Sequence, residues 1–216
     1  MEIITYMKYD GIILDVDGTI WNTTPLTAAA WNRAIAFCNA SVAPVSDVIL
    51  QTQFGKTMDV IATNLFGDKV TGCKRDELLK KCYEEEHRAL QENTRNIMYD
   101  GVFDTVAELS KQVGMYVVSN CQKGYIELML GKTKMTDFIS DIECYGNTGC
   151  GKASNISLLV KRNGIKKPLY VGDTQGDCDE CKKAGVPFVW AMYGFGKNVS
   201  GEMKIHSFSE IKKIVM

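Results

Sequence analysis

Two aspartates, Asp15 and Asp17, stand two residues apart directly after the apolar run at residues 12–14. Carboxylates held this close repel each other, so the pair requires a cation, a division of roles, or both. A carboxylate is a known nucleophile that forms an aspartyl-phosphate with a phosphorylated substrate. If Asp15 attacks phosphorus, Asp17 is placed to protonate the leaving oxygen and later to deprotonate the water that cleaves the intermediate.

Other polar residues follow apolar runs in the same way. Ser119 and Asn120 come directly after one such run. Asp173 follows another, and Asp177 comes four residues later in the first turn of a predicted helix. Lys152 opens a further predicted helix after the glycine-rich loop "GNTGCGK". These residue types together suit the binding and transfer of a phosphoryl group.

The elements that must position these residues alternate between strands and helices. Short apolar runs predict strands at 9–15, 114–120, 138–144, 168–173 and 187–192. Helix-like segments lie between them, among them "DTVAELSKQV", "KASNISLLVKRNG" and "QGDCDECKKAG", and Gly164 and Gly185 are predicted to end the last two in a left-handed conformation. The alternation is typical of an α/β fold with a parallel sheet. Ligands of such sheets bind at the carboxyl ends of the strands, so the candidate residues should meet there.

The segment from residue 23 to 95 has a different pattern. Thr24 followed by Pro25 is a good helix start, and helical patterns continue through "LTAAAWNRAIAF", "SDVILQTQFG", "TMDVIATNLFG" and "RDELLKKCYEEEHRALQEN". No convincing strand interrupts them. We therefore expect a core domain formed by residues 1–22 and 96–216, with a helical domain of residues 23–95 inserted after the first strand.

Acidic residues gathered at one edge of a sheet cannot all be ionised without a compensating charge. Mg²⁺ suits such oxygen ligands, because it binds through one or two carboxylates and a phosphate oxygen while keeping several waters. Lys152 supplies a further positive charge. Ser119 and the backbone N–H groups near Gly18 can donate to a phosphoryl oxygen. The sequence therefore predicts Mg²⁺ as cofactor and a small phosphorylated metabolite as substrate.

The motifs "DVDGT" and "GDTQGD", with Ser119 and Lys152 between them, occur in the order and approximate spacing of the haloacid dehalogenase superfamily. The chain resembles this superfamily over essentially its whole length, and its helical block resembles the phosphoglycolate phosphatase-like and β-phosphoglucomutase-like branch. The resemblance implies a Rossmann-like three-layer core with a central parallel sheet plus an inserted α-helical cap domain. It also implies a Mg²⁺-dependent phosphatase that hydrolyses a small phosphate monoester, of phosphoglycolate or sugar phosphate type, through an aspartyl-phosphate.

The resemblance assigns a role to each matched residue. The catalytic residues would be the nucleophile Asp15, the acid and base Asp17, and Lys152. The metal ligands would be Asp15, the backbone carbonyl of Asp17, and Asp173. Asp177 would act on these ligands without binding the metal directly. The phosphoryl group would be bound by residues that offer side-chain or backbone donors: Gly18, Thr19, Ser119, Asn120 and Lys152.

Two positions depart from the pattern of this branch. Members often have an aspartate where Asn22 stands, and a lysine directly after the Ser-Asn pair, where Cys121 stands. Asn22 can still cap a helix, so the chemistry should survive. Cys121 leaves the substrate open; Lys123 is near enough to replace the missing charge, and a solvated lysine is the alternative.

Three alternatives stay open beside the phosphatase. A β-phosphoglucomutase-like mutase would use the same residues and return the phosphoryl group to a sugar. A dehalogenase has no alkoxide to protonate, so the presence of Asp17 argues against it. A non-catalytic phosphate-binding protein would be expected to have lost one of the acids or the lysine. Substrate selection is expected from the inserted domain, with "QFGKT" at residues 53–57 as the candidate loop.

Composition and net charge limit the possible partners and compartment but do not indicate a site. The chain of 216 residues has a formal net charge of -1, which gives no reason to expect nucleic acid or a membrane surface as partner. We expect a monomer or dimer in the cytoplasm, because "MEIITYMKYDG" lacks the layout of a secretory signal and the eight scattered cysteines suggest reduced thiols. Cys178 and Cys181 lack a second ligand pair for zinc, so they are interpreted as small packing residues on one helix face.

Overall fold

A six-stranded parallel sheet runs through the protein, whose computed structural model describes residues 7–216. Part of the N-terminal stretch considered for a secretory signal therefore lies outside the described residues. The strands are β1 (Gly11–Leu14), β2 (Gly114–Ser119), β3 (Asp141–Cys144), β4 (Pro168–Gly172), β5 (Phe188–Ala191) and β6 (Met203–Ile205). Their order across the sheet is β3-β2-β1-β4-β5-β6. The predicted α/β class with a parallel sheet is thus confirmed, although β6 was not predicted and β3 begins later than expected.

The chain divides into two compact units, one of the described residues up to Trp21 with Met98–Met216, and the other of Asn22–Ile97. The second unit contains the helices α1 (Thr24–Phe37), α2 (Asp47–Gln51), α3 (Met58–Phe66) and α4 (Gly72–Glu92), with a short 3₁₀ turn at Gly67–Lys69. Its core packs apolar side chains of all four helices, including Trp31, Leu50, Phe66 and Leu78. The sequence places the boundaries at 22/23 and 95/96, and the function of this unit as a cap stays a prediction.

The first unit carries the remaining helices. They are α5 (Val102–Leu109), α6 (Tyr125–Thr133), α7 (Tyr145–Thr148), α8 (Lys152–Arg162), α9 (Gln175–Ala184) and α10 (Ile211–Val215), with 3₁₀ turns at Thr136–Phe138 and Phe208–Glu210. Gly164 and Gly185 follow α8 and α9 with φ of +65° and +69°, as predicted for helix stops. The stretch predicted as a loop before Lys152 is partly helical, because α7 occupies its first half. In the part of the chain that the structure describes, no helix is both long and apolar enough to cross a bilayer.

The register of the central strands sets the positions of the residues that follow them. Every residue of β1 is buried, which explains why apolar side chains stand at consecutive positions there. Leu14, the last residue of β1, pairs with Val117 on one side and Val171 on the other. Asp15 therefore leaves the sheet between the ends of β2 and β4, beside the residues that follow those strands.

Candidate active site

Asp15 is held in place by a backbone hydrogen bond and by the Lys152 ammonium group. Its backbone N–H donates to the Val171 carbonyl at 2.9 Å, which continues the β1–β4 pairing by one residue. Its side chain is buried, and Oδ1 accepts a hydrogen bond from Lys152 Nζ at 2.7 Å. The Tyr170 hydroxyl lies 3.4 Å from the same oxygen and also donates to the Val118 carbonyl at 2.9 Å.

Lys152 is the first residue of α8, and its side chain is only 1% exposed. Nζ bridges Asp15 Oδ1 at 2.7 Å and Asp177 Oδ1 at 2.5 Å. Burial alone would lower the pKa of Lys152, but the two carboxylates outweigh burial and raise it above its usual range. The ammonium therefore stays charged. A buried lysine held by two carboxylates is not the solvated side chain that a lone lysine in a sequence most often indicates.

Asp177 is occupied on both of its carboxylate oxygens. Oδ1 binds Lys152, while Oδ2 accepts from the Thr174 backbone N–H at 3.0 Å and from the Thr174 hydroxyl at 2.7 Å. The Asp177 N–H returns a hydrogen bond to Thr174 Oγ1 at 3.1 Å, which completes a capping box at the start of α9. With both oxygens engaged, Asp177 is arranged to orient Lys152.

Asp173 follows β4 and is fully buried. Oδ2 accepts a hydrogen bond from the Phe195 backbone N–H at 2.6 Å, whereas Oδ1 is buried with no hydrogen-bond partner among residues 7–216. Burial, together with the negative charges of Asp177 and Asp15, raises the pKa of Asp173 well above its usual value. An unpartnered carboxylate oxygen in such a position costs free energy unless a cation or a donor joins it.

The acidic side chains lie close enough to share a cation. Carboxylate oxygens of Asp15, Asp173 and Asp177 lie within 4.8 Å of one another. Burial raises the pKa of Asp15 to about 6 even though Lys152 opposes the change. The free oxygen of Asp173 and the hard oxygen donors around it fit a divalent ion such as Mg²⁺, whose charge would restore both carboxylates to the ionised form.

Asp17 is held by a residue far away in the sequence. The Tyr125 hydroxyl, at the start of α6, donates to Asp17 Oδ1 at 2.8 Å. The Tyr125 ring packs edge-on against Trp21, with centroids 5.8 Å apart. Trp21 itself forms a bridge with Asp17, and its carbonyl accepts the Gly18 N–H at 2.9 Å. The second aspartate of the motif is thus positioned by its own tight loop and by α6.

The next two residues, Gly18 and Thr19, belong to the same loop. Gly18 has φ of +85°, and a Cβ there would lie 2.2 Å from Asp173 Oδ2, so only glycine fits. The Thr19 hydroxyl is buried without a hydrogen-bond partner in the described part of the chain, while the Thr19 carbonyl accepts a hydrogen bond from the Tyr193 hydroxyl at 2.9 Å. A buried hydroxyl with no protein partner is suited to a ligand, as expected for a residue that contacts a phosphoryl group.

Ser119 and Asn120 lie at the end of β2, on the same edge of the sheet as Asp15. Ser119 is buried and pairs with Cys144, the last residue of β3. Asn120 is partly exposed. These two residues sit where the sequence predicted them, but their roles in phosphate binding stay predictions.

The sequence missed four contributors to this arrangement: Tyr125, Tyr170, Thr174 and the backbone N–H of Phe195. The Thr174 contribution was detectable, because a threonine three residues before an acid at a helix start is the usual sign of a capping box. The tyrosine contacts depend on how helices and strands turn their side chains, which no local pattern reveals. Cys178 and Cys181 are buried core residues of the sheet face covered by α8 and α9, as interpreted from the sequence.

Comparison with known proteins finds a matching family and similar phosphatases. The family described as haloacid dehalogenase-like hydrolase matches residues 12–191. A phosphoglycolate phosphatase of Pseudomonas fluorescens (strain Pf0-1) is 24% identical over 216 residues, covering 94% of this chain and 78% of the relative. A phosphoglycolate phosphatase of Escherichia coli (strain K12) is 23% identical over 210 residues, covering 86% of this chain and 82% of the relative.

Solved structures share the fold. A predicted phosphoglycolate phosphatase from Haemophilus somnus 129PT superposes with a TM-score of 0.84 at 21% identity, covering 95% of this chain and 97% of the other. CbbY from Rhodobacter sphaeroides, solved in complex with phosphate, superposes with a TM-score of 0.78 at 16% identity, covering 94% of this chain and 96% of the other.

Proposed function

Because the chain belongs to the haloacid dehalogenase-like hydrolase family, we propose that it hydrolyses small phosphate monoesters through an aspartyl-phosphate formed on Asp15. The predicted family and the predicted class of enzyme, a phosphatase, are confirmed by the family match and the curated relatives. One observation carries the finer proposal: Lys152 Nζ lies 2.7 Å from Asp15 Oδ1 inside a buried cluster that also includes Asp173 and Asp177.

Asp15 acts as the nucleophile in this proposal. An oxygen of its carboxylate forms a bond to phosphorus while the bond from phosphorus to the ester oxygen breaks. Lys152 holds Asp15 Oδ1 at 2.7 Å, so the carboxylate is oriented before substrate arrives. Pre-orientation of this kind removes part of the entropic barrier to attack.

Asp17 acts as acid and then as base. It gives a proton to the departing alkoxide, which leaves as the alcohol. A water molecule then attacks phosphorus, its proton returns to Asp17, and phosphate and the free Asp15 carboxylate are released. The Tyr125 hydrogen bond to Oδ1 fixes the orientation of the Asp17 carboxyl group for this proton transfer.

The remaining residues balance the charge of the phosphoryl group. Lys152 offers a fixed ammonium, and Thr19 offers a buried hydroxyl that has no partner within the described residues. Ser119 completes the set of side-chain donors. The predicted Gly18 N–H is already engaged, because it donates to the Trp21 carbonyl at 2.9 Å. Asp15, Asp173 and the Asp17 backbone carbonyl would hold Mg²⁺, which supplies charge neutralisation for the transferring phosphoryl group.

The substrate class follows from the relatives and the cofactor chemistry. The curated relatives are named phosphoglycolate phosphatases, and one structural neighbour was solved with phosphate. We therefore propose a small phosphorylated metabolite of the phosphoglycolate or sugar phosphate type. We assign the unit of Asn22–Ile97 the role of a cap that selects among these substrates.

The test is a panel of phosphorylated metabolites, assayed for released phosphate with Mg²⁺ and with a chelator. We expect Mg²⁺-dependent phosphate release from at least one small monoester, and none from Asp15→Asn. β-Glucose 1-phosphate belongs in the panel, because formation of glucose 6-phosphate in place of free phosphate would show a mutase. Turnover by a folded Asp15→Asn protein would reject the covalent route.

A further inference from the structure

Helix α8 begins at Lys152, and the residue before it provides no side chain to cap that beginning. The first backbone N–H groups of an α-helix have no acceptor within the helix, so a side chain near the N-terminus usually accepts one of them. The N-cap residue of α8 is Gly151, which has no side chain. The first turn of α8, which carries Lys152, therefore needs an acceptor from outside the helix.

That acceptor is Glu180 on α9. The Ala153 backbone N–H, one residue after Lys152, donates to Glu180 Oε2 at 2.9 Å. The other carboxylate oxygen, Oε1, accepts from Lys183 Nζ at 2.5 Å. Burial raises the pKa of Glu180, but the hydrogen bonds from Lys183 and Ala153 outweigh burial and lower the pKa below its usual value. Glu180 is therefore ionised, and the helix dipole favours a negative charge at this end of α8.

Two acids of α9 hold the same turn of α8. Asp177 and Glu180 are three residues apart, so they lie on one face of α9. Asp177 Oδ1 accepts from Lys152 Nζ at 2.5 Å, while Glu180 binds the backbone N–H of the next residue. Lys152 is therefore held at both ends, by its ammonium group and by the backbone beside it.

Away from this turn, α8 and α9 share an apolar core. The buried residues of this core include Ile156 and Leu159 of α8, and Cys178 and Cys181 of α9. Apolar packing is non-directional, so it keeps the two helices together without fixing how far one lies along the other. The hydrogen bond to Glu180 is directional, and it fixes where α8 starts against α9.

We propose that Glu180 is a positioning residue, which caps α8 from α9 and thereby keeps Lys152 Nζ at 2.7 Å from Asp15 Oδ1. Without this cap the first turn of α8 is free to shift, and the ammonium group shifts with it. A displacement of about 1 Å in a catalytic group lowers the rate by up to roughly 100-fold. The effect on rate rests on the proposed function, whereas the placement of Lys152 does not.

The alternative is that Glu180 serves only as one half of a surface ion pair. Its partner Lys183 is 66% exposed and lies three residues away on α9. Exposed pairs of this type contribute little. Glu180→Gln and Lys183→Met separate the two roles, because each removes the ion pair while keeping an oxygen at residue 180 that accepts from the Ala153 N–H.

The first experiment compares the steady-state kinetics of these variants with those of Glu180→Ala. We expect Glu180→Ala to lower kcat by about 10- to 100-fold with little change in KM, because the displaced lysine acts on the nucleophile and on the transferring group. Glu180→Gln and Lys183→Met should stay close to the wild type. Glu108→Ala is the matched control, because Glu108 on α5 pairs with Lys212 at 2.7 Å and its loss should leave kcat unchanged. Equal losses in Glu180→Ala and Glu180→Gln would overturn the proposal.

A double-mutant cycle shows whether the effect passes through Lys152. Lys152→Met removes the ammonium group, so adding Glu180→Ala to it should cause no further loss of p-nitrophenyl phosphate turnover. The same fold-loss in the Lys152→Met and wild-type backgrounds would show a general structural effect and contradict the positioning role.

Crystal structures of the wild type, Glu180→Ala and Glu180→Gln test the placement directly, and they decide the question even if Lys152→Met has no measurable turnover. In Glu180→Ala we expect the distance from Lys152 Nζ to Asp15 Oδ1 to exceed about 3.5 Å, which is too long for a hydrogen bond. In Glu180→Gln this distance should stay as in the wild type.

If Glu180→Ala does not fold, Glu180→Asp gives the same test, because its side chain is one methylene shorter and the charge is kept. An ammonium group that stays in place in the shortened variants would refute the positioning role. A displaced ammonium group in a protein whose wild type hydrolyses no monoester would support the positioning of Lys152 and refute the proposed function.

Discussion

Tyr125 reaches Asp17 from the first turn of α6, across 108 positions of sequence. The phenol fixes the direction of a carboxyl group that, on the proposed mechanism, must point at the leaving oxygen. It also donates to the ionised form, so Asp17 is stabilised as the base that activates water. Tyr125 is thus a positioning residue for the second half of the reaction.

Tyr125→Phe should lower kcat and leave KM almost unchanged, because the lost hydrogen bond acts on Asp17 and not on the substrate. A hydrogen bond to a charged group contributes about 1.5–3 kcal/mol, which corresponds to a loss of roughly 10- to 100-fold. Steady-state kinetics on the best substrate of the panel measure the changes in kcat and in KM separately. Tyr9→Phe is the matched control, since that hydroxyl donates to Met203 Sδ at 3.8 Å; an equal loss in both variants would contradict the assigned role.

Asp17→Asn should slow hydrolysis of alkyl phosphates much more than hydrolysis of p-nitrophenyl phosphate. A good leaving group departs without a proton, so the acid matters less for the aryl ester. The ratio of kcat/KM for the two substrates, in wild type and variant, measures the effect. Losses that do not depend on the leaving group would show that Asp17 serves mainly to maintain the structure.

The residues at strand ends could be proposed from the sequence, and the contacts around them could not. Asp15, Lys152 and Asp173 follow or open recognisable elements, and a parallel sheet brings such positions to one edge. The Tyr125 contact depends on the placement of α6, whose residues show no distinct pattern. The Phe195 N–H that binds Asp173 belongs to a loop, where backbone direction is not encoded by residue type.

At the scale of elements, the loop after β5 closes tightly on the acidic cluster. A Cβ on Gly194 would lie 2.3 Å from the Gly18 carbonyl oxygen and 2.4 Å from Asp173 Cβ. Neither neighbour can move freely, because the first is backbone in the loop after β1 and the second belongs to a fully buried side chain. The loop after β5 and the loop after β1 therefore hold Asp173 between them.

Gly194→Ala should displace Asp173 and lower kcat/KM by about 100-fold, since a misplacement of about 1 Å in a catalytic group has effects of that size. Crowding of the buried site should also destabilise the fold by about 1–3 kcal/mol. Kinetics and thermal unfolding measure the two effects. Gly176→Ala is the control: its Cβ would lie 3.5 Å from Thr174 Oγ1, an ordinary contact, so neither activity nor stability should fall.

The elements that were not predicted from the sequence, β6 and α7, are short and have weak apolar patterns. Strand β6 has only three residues, Met203–Ile205, at the edge of the sheet, too few to show an alternation. Helix α7 has four residues and overlaps a glycine-rich stretch that reads as a loop. The long helices and the buried central strands were predictable, because burial on two faces or on one stripe leaves a clear apolar pattern.

At the scale of the whole molecule, the unit of Asn22–Ile97 contains its own buried carboxyl group. Glu86 on α4 accepts hydrogen bonds from Trp31 Nε1 at 3.1 Å and from the Thr27 hydroxyl at 3.2 Å. Burial raises the pKa of Glu86 to about 7, and the two hydrogen bonds only partly oppose the change. The folded unit therefore binds a proton on Glu86 more tightly than the unfolded chain, whose glutamates titrate near the model-peptide value of about 4.3.

Glu86→Gln should become more stable relative to the wild type as pH rises from about 4.5 to 7. Below this window both states of the wild type are protonated, whereas within it the unfolded state ionises first, so the wild type loses up to roughly 3 kcal/mol. Denaturant unfolding of both proteins at several pH values measures the difference. Glu85→Gln is the control, because hydrogen bonds from Arg33 and Arg88 lower the pKa of Glu85. The free energy of unfolding of this variant, relative to the wild type, should therefore change only at more acidic pH. The difference in free energy of unfolding between Glu86→Gln and the wild type could instead stay constant from about pH 4.5 to 7. That result would show that Glu86 is ionised in the folded protein throughout.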